Sequence, residues 1–144
     1  EYDAFLTKQD PAFTVEELEE AMQKVMDQYA GGIGTHYQFN EKQLAMAEEK
    51  IKKLQILAKG LAATDMHELM FIYELKERLT VCLTVIAHLR ARKETRWHSF
   101  AENLDYPEKS DAWLCYVNSK KNGDQITMIR RDLVKGGETY EHRD

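Results

Sequence analysis

Cysteine and proline are scarce in this sequence, with two of each in 144 residues. Cys82 and Cys115 lie far apart in apolar surroundings, and no Cys-x-x-Cys pair occurs. This pattern argues against a disulfide-stapled fold and against a redox or metal role, so we expect two reduced, buried thiols in a cytoplasmic protein. Pro11 and Pro107 each mark a segment that a helix does not cross.

Long apolar runs and an excess of basic charge are also missing. No stretch approaches the roughly 18 apolar residues typical of a membrane span, and no signal-peptide pattern stands at the start. The formal net charge is −5, whereas a general nucleic-acid binder needs a basic face to displace counterions. We therefore expect no nucleic-acid partner and no direct membrane insertion. The hydrophobic share of 43% is enough for one core at this length.

The sequence has no motif for nucleotide binding or hydrolysis: no G-x-G-x-x-G, Walker loop, G-x-S-x-G elbow or H-E-x-x-H. The glycine-rich run at residues 31–34 follows a predicted helix rather than a strand, which favours an interhelix connection over a phosphate cradle. No two of the five histidines lie three or four residues apart, so a helix-borne metal site is not supported. We predict no catalytic, cofactor-binding or metal-binding residue in this chain, and no complete active site.

Apolar periodicity predicts three helices. The first spans residues 15–29 and starts at a capping box of Thr14 and Glu17. The second runs from an Asn40 cap to about residue 59, and the third from an Asp65 cap over residues 66–93. The second helix has a narrow apolar stripe of Leu44, Ala47, Ile51, Leu54, Ala58 and Leu61. The stripe of the third contains Leu69, Ile72, Leu75, Leu79, Cys82, Ile86 and Leu89. Residues 80–87 are apolar nearly all round, which predicts a central position for this helix.

The pattern changes after residue 94. Residues 95–110 are irregular, and two β-prone runs then flank Asn122-Gly123, which predicts a β-hairpin with both turn residues at positive φ. The predicted fold is mainly α: a three-helix antiparallel bundle, spectrin-like and up-down-up, with a C-terminal extension containing a β-hairpin. Residues 1–13 would be an incoming linker, 14–94 the bundle, 95–133 the irregular segment and hairpin of the same domain, and 134–144 a flexible tail.

Charged and aromatic residues are concentrated where the third helix ends. One interpretation is a clasp that ends the helix, with Glu94 paired to Arg96, and Trp97 and Tyr106 packing the chain back on the bundle. The other is a contact surface for a neighbouring domain or ligand. The candidate residues for that interdomain contact are Arg92, Glu94, Arg96, Trp97 and His98. The residues alone favour the first interpretation but leave both open.

This segment resembles the C-terminal domain of the succinate dehydrogenase and fumarate reductase flavoprotein family. There, a helix ends in Arg-x-Glu-Ser-Arg-Gly-x-His, followed by Asp-Tyr-Pro or Asp-Phe-Pro and then Trp. The matching residues here are Arg92, Glu94, Thr95, Arg96, His98, Asp105, Tyr106, Pro107 and Trp113. Thr95 stands in place of Ser and Trp97 in place of Gly. Within the family, the sequence is most similar to adenylylsulfate reductase α subunits, over roughly residues 14–133.

The resemblance implies an accessory helical domain of an FAD-dependent oxidoreductase. FAD would bind in an upstream domain of the same chain, an iron–sulfur subunit would exchange electrons with the flavin, and the catalytic residues would lie upstream. The substrate, adenylylsulfate or a dicarboxylate, stays open. A second hypothesis is a free-standing helical adaptor that binds a partner through an apolar groove. A third, weaker hypothesis is a small stand-alone enzyme using His98 and Glu94.

Overall fold

The computed structural model describes residues 2–134, except for the side chain of Tyr2. The helices are α1 (Tyr2–Leu6), α2 (Val15–Tyr29), α3 (Glu41–Ala58) and α4 (Met66–Ala91). The strands are β1 (Gln38–Phe39), β2 (Glu102–Asn103), β3 (Cys115–Asn122) and β4 (Gln125–Asp132), and short 3-10 turns lie at Ile33–Thr35 and Asp111–Trp113. Within residues 2–134, no helix combines the length and apolar character needed to cross a membrane.

The three predicted helices are confirmed, and each begins at its predicted cap. Thr14 accepts from the Glu17 amide while the Glu17 carboxylate accepts from the Thr14 amide, so both halves of the capping box are present. The side chains of Asn40 and Asp65 cap α3 and α4 by accepting from the amides of Gln43 and Glu68, each of which has no partner within its helix. The two later helices end one and two residues earlier than predicted.

Helix α4 packs against α1, α2, α3 and both hairpin strands, while α2 and α3 also pack on each other. The fold is therefore mainly helical with a C-terminal hairpin, and the spectrin-like antiparallel order stays a prediction. The whole predicted α3 stripe is buried, as are five of the seven α4 stripe residues. Cys82 and Cys115 are free thiols but only half-buried, and burial raises the pKa of the Cys82 thiol. Val81 and Val85 are 60% and 41% exposed. This part of α4 is therefore not enclosed on all sides, although its apolar sequence predicted a central position.

The segment at residues 1–13 contains a helix, which its description as a linker did not include. Pro11 lies well beyond α1, which has ended by Leu6, so the proline does not interfere with it. Phe5 is buried against the core and meets Tyr73 edge to face at a centroid distance of 6.1 Å. Phe13, by contrast, stays substantially exposed. At the other end, the predicted flexible tail lies almost entirely outside the described residues.

A two-stranded parallel sheet joins the loop after α2 to the irregular segment after α4, and the sequence pattern did not predict it. Gln38 pairs with Glu102 and Phe39 with Asn103. The amides of Glu102 and Leu104 donate to the carbonyls of Tyr37 and Phe39 at 2.9 and 2.8 Å. This pair holds residues 95–110 against the bundle and so positions the chain that follows α4.

The hairpin is confirmed, but its turn differs from the predicted one. Asn122 pairs with Gln125, so the two-residue loop is Gly123-Asp124 rather than Asn122-Gly123. Of the two loop residues, only Gly123 has a positive φ, +60°. A glycine with positive φ at the first loop position is typical of a type II′ turn. Val117, Ile126 and Met128 are partly buried, while their immediate strand neighbours, such as Tyr116, Asn118, Thr127 and Ile129, are exposed.

This turn predicts different outcomes for two neighbouring substitutions. Gly123→Ala should destabilise the hairpin by roughly 1–2 kcal/mol, because a residue with a Cβ is strained in the left-handed backbone conformation. This holds even though the added Cβ would meet no other atom within 4 Å. Asn122→Ala should have a much smaller effect, because Asn122 is an ordinary strand residue. Amide hydrogen exchange across β3 and β4 measures both. Equal losses in the two variants would indicate an Asn-Gly turn instead.

Candidate functional site

The carboxylate of Glu94 lies at the centre of the segment that follows α4, and its side chain is fully buried. Arg96 forms a bidentate ion pair with it: Nε donates to Oε1 at 2.9 Å and Nη2 donates to Oε2 at 3.0 Å. Arg92 Nη1 donates to Oε1 at 2.7 Å, and the Ser110 amide donates to Oε2 at 3.0 Å. Two cations and an amide thus compensate one buried anion, as a charge without water contact requires.

The same two arginines tie the chain after α4 to the start of the hairpin. Arg92 donates to the carbonyls of Trp113 and Cys115, both at 2.8 Å, and Arg96 donates to the Ser110 carbonyl at 3.1 Å. The guanidinium carbon of Arg92 lies 5.9 Å from the centroid of the Trp113 indole ring. We call this set of Arg92, Glu94, Arg96, Ser110 and Trp113 the Glu94 clasp.

Arg130 extends the contact from strand β4. Its guanidinium carbon is 4.3 Å from the Trp113 ring centroid, and it also donates to the Ala112 carbonyl. An arginine over an indole face is attracted by the ring quadrupole. The second strand of the hairpin is thereby joined to the Glu94 clasp through one aromatic ring.

The clasp sets the ionisation of its own groups. Burial on its own would raise the pKa of Glu94, but hydrogen bonds from Arg96, the Ser110 amide and Arg92 outweigh it and lower the pKa to about 2. The bond to Glu94 raises the pKa of Arg96. Both ions therefore stay charged at any physiological pH, and the carboxylate is committed to structure rather than to proton transfer.

Thr95, which lies between Glu94 and Arg96 in the sequence, is almost completely buried. Its hydroxyl donates to the Tyr106 carbonyl at 2.8 Å and accepts from the Asn103 amide at 3.0 Å. The Asn103 side-chain oxygen in turn accepts from the amides of Asp105 and Tyr106. The hydroxyl at position 95 thus links the Glu94 clasp to strand β2, and a serine could make the same two bonds.

The five predicted contact residues divide into two groups. Arg92, Glu94 and Arg96 come together in the clasp, so the predicted Glu94–Arg96 pair is confirmed. Trp97 and His98 lie outside this hydrogen-bonded set: Trp97 is 70% exposed, and His98 lies on the surface with Nδ1 3.8 Å from a Glu102 carboxylate oxygen. The expectation that Trp97 packs the chain back on the bundle is wrong.

The tryptophan has apolar neighbours in sequence that are exposed with it. We call Trp97, Phe100, Leu104 and Tyr106 the aromatic segment; Phe100 is the most exposed of them, at 73%. Tyr106, which was expected to pack on the bundle, is 43% exposed and lines a cavity together with Leu44 and Leu89 of the bundle. Exposed apolar side chains that form a patch often mark a site of contact with another protein or domain. The clasp is thus satisfied internally, while the segment beside it presents apolar side chains outward.

Sequence reasoning missed four participants in the site: Ser110, Trp113 as an arginine platform, Cys115 and Arg130. Two of these contributions, from Ser110 and Cys115, come from backbone atoms, which residue type does not encode. The Trp113–Arg130 stack depends on hairpin register, which the sequence fixes only through the turn. The hypothesis of an enzyme using Glu94 and His98 is not supported, because Glu94 is enclosed by its arginines and His98 faces another carboxylate.

The described residues do not fit a flavin nucleotide. The glycine-rich run at residues 31–34 is the one stretch that resembles a phosphate loop, and the Asp27 carboxylate already accepts from its Gly34 amide at 3.0 Å. A phosphate there would meet a negative charge in the place where it needs a donor. The described strands form two separate two-stranded sheets, without the βαβ unit that places a dinucleotide on a helix N-terminus.

Removing the charge of Glu94 should destabilise the chain. Glu94→Gln leaves two partly buried arginines without their anion, and breaking a buried ion pair typically costs about 3 kcal/mol of unfolding free energy. Urea titration at neutral pH measures it. The matched control is Glu49→Gln, which removes an exposed carboxylate paired with Lys53 and should change little. Equal stability of the two variants would contradict a buried clasp.

The lowered pKa of Glu94 also predicts a pH dependence. A group with a folded pKa of about 2 and an ordinary value of 4.5 contributes fully above the ordinary value, and this contribution is lost as pH falls through the folded value. Stability should therefore fall between about pH 5 and pH 2, and by less in Glu94→Gln, which has no such group. Urea titrations at several pH values give the two slopes. Parallel slopes would show that other carboxylates carry the acid sensitivity.

Comparisons with known proteins match between 67% and 97% of this chain. Residues 19–138 match the family described as fumarate reductase flavoprotein C-term. The α subunit of adenylylsulfate reductase from Megalodesulfovibrio gigas is 34% identical over 98 residues, which are 67% of this chain and 15% of that protein.

Solved structures agree. Adenylylsulfate reductase from Archaeoglobus fulgidus superposes with a TM-score of 0.84 at 35% identity, covering 93% of this chain and 21% of that one. An adenosine-5-phosphosulfate reductase in complex with sulfite gives 0.85 at 34%, covering 96% and 24%. The FrdA chain of Escherichia coli quinol fumarate reductase gives 0.78 at 19%, covering 97% and 24%, which shows a shared fold.

This chain therefore spans a quarter or less of each of these relatives. The family match covers well over half of the chain, and it includes the Glu94 clasp and the aromatic segment. The chain belongs to the family of C-terminal domains of fumarate reductase flavoproteins, which includes the corresponding domain of adenylylsulfate reductases.

Proposed function

We propose that this chain is the accessory C-terminal helical domain of an FAD-dependent oxidoreductase, that it supports the flavin domain and helps to dock an iron–sulfur subunit, and that it is not catalytic alone. The observation that carries the proposal is the contrast at the end of α4. The Glu94 clasp satisfies its charges internally and needs no partner, whereas the aromatic segment beside it exposes Trp97 and Phe100. A rigid base thus presents an apolar surface for a neighbouring domain.

Adenylylsulfate reduction is the favoured activity of the intact protein. Two relatives named for it are 34% and 35% identical to this chain, against 19% for the fumarate reductase. Trp97 also departs from the glycine of the family pattern, so the surface differs at one of its two most exposed residues. FAD would lie in the upstream domain, since the residues described here do not fit it, and the complex would be cytoplasmic.

A second feature supports contact with a neighbouring domain. Val81 and Val85 lie one turn apart on α4 and are substantially exposed, although β-branched apolar residues are usually buried in a long central helix. They give the flavin domain a further apolar surface on the same helix that leads into the clasp. The adaptor hypothesis has less support, because the family match extends across most of the chain.

Substitution of the aromatic segment tests this proposal in the full-length flavoprotein. Trp97→Ser with Phe100→Ser should lower flavin occupancy or the yield of assembled complex, because apolar area buried at a domain contact contributes about 25 cal/mol per Å². The isolated 144-residue chain should keep its unfolding free energy, because both side chains are exposed in it. Flavin absorbance, size-exclusion chromatography and urea titration provide the three measurements.

Met66→Ala is the matched control. Met66 is similarly exposed but lies at the opposite end of α4, so occupancy and assembly should not change. If the double variant also keeps both, the aromatic segment is not a domain contact. If instead it destabilises the isolated chain, the two side chains serve this domain's own fold, and the proposal fails in the same way.

A further inference from the structure

A cleft of about 730 Å³ opens between α1, α3, α4 and the turn end of the hairpin. Its floor is apolar and includes Phe5, Leu79, Leu83 and Ile126. The Glu94 clasp lies at the other end of the same hairpin, whose eight-residue strands extend roughly 25 Å. The cleft is therefore a separate surface, and nothing in the proposed flavoprotein role assigns it a function.

The rim of this cleft is strongly cationic. Five lysines line it: Lys8, Lys52, Lys59, Lys76 and Lys121. Among the described residues of the lining, Asp124 supplies the single carboxylate. This is the reverse of the chain as a whole, which carries a net charge of −5. Like charges gathered at an apolar recess repel one another, and an anionic occupant relieves that repulsion.

Two of the lysines are held directly over the floor. The ammonium groups of Lys8 and Lys76 lie 5.0 and 5.4 Å from the centroid of the Phe5 ring, and Lys8 also donates to the Lys59 carbonyl. Lys52 has part of its charge compensated by Glu48, at 2.5 Å. Lys8 and Lys76 therefore place their ammonium groups immediately beside the apolar floor.

We infer that this cleft docks an acidic, amphipathic segment of a partner polypeptide, with an apolar side chain on the floor and carboxylates against the lysine rim. Charge complementarity favours an anion, and the apolar floor favours one that carries hydrophobic groups. The cations come from separate elements, which suits carboxylates spread along a chain better than one compact phosphate. Lys59 also stands at the C-terminal end of α3, where the helix dipole opposes a concentrated negative charge.

A peptide titration tests this with the 144-residue chain. The probe is a fluorescein-labelled peptide with leucine at every third or fourth position and glutamate elsewhere, and its reference replaces every glutamate by glutamine. Fluorescence anisotropy should show binding of the glutamate peptide, about tenfold or more weaker for the glutamine peptide. Raising the salt from about 20 mM to about 300 mM should weaken it strongly, because screening acts on exposed charges.

Two double variants of equal charge change locate the site. Lys59→Glu with Lys121→Glu should weaken binding of the glutamate peptide about tenfold or more. Lys24→Glu with Lys53→Glu should leave it within about twofold, because these lysines pair with glutamates one turn away and lie outside the cleft. Circular dichroism melting checks that both variants fold.

Three results would overturn the inference: no binding of the glutamate peptide, equal weakening by the two double variants, or full displacement of the peptide by millimolar inorganic phosphate or AMP. The second would show general attraction by the chain's lysines, and the third a small-anion site. None of them bears on the aromatic segment, so the inference and the proposed function can fail separately.

Discussion

A carboxylate without access to water constrains the whole C-terminal half of this structure. Glu94 can stay ionised in its position only while Arg92, Arg96 and the Ser110 amide surround it. Those donors come from the end of α4, the irregular segment that follows it and the turn before β3, and Arg92 also donates to the carbonyl of Cys115 at the start of the hairpin. The requirement to satisfy one anion thus fixes where the hairpin starts and how it lies on α4.

This arrangement separates support from recognition. Charged residues at a helix end could have served as a contact surface, but here they bind one another and backbone carbonyls, leaving few groups to offer a neighbour. The groups available for contact are the apolar ones that follow, beginning with Trp97. A family pattern rich in arginine and glutamate can therefore describe a structural joint rather than a ligand site.

The sequence predicted the elements well where local physics decides them. Caps and apolar stripes located all three long helices, because both depend on neighbours within one or two turns. It failed where distant segments meet. The β1–β2 pair is too short to show alternation, and the hairpin turn shifted by one residue because Gly123 fits two turn types. Trp97 was assigned to packing from its residue type alone, although its exposure depends on what covers it.

The parallel pair of β1 and β2 has a consequence for how the chain folds. Its strands flank α3 and α4, so its hydrogen bonds can form only after those helices have folded back on each other and brought Phe39 near Asn103. Closing so large a loop for a few backbone bonds is unfavourable until the helical pair has already lost its freedom. We therefore expect the β1–β2 pair to form late in folding. It should contribute little to the folding rate and mainly slow unfolding of the domain.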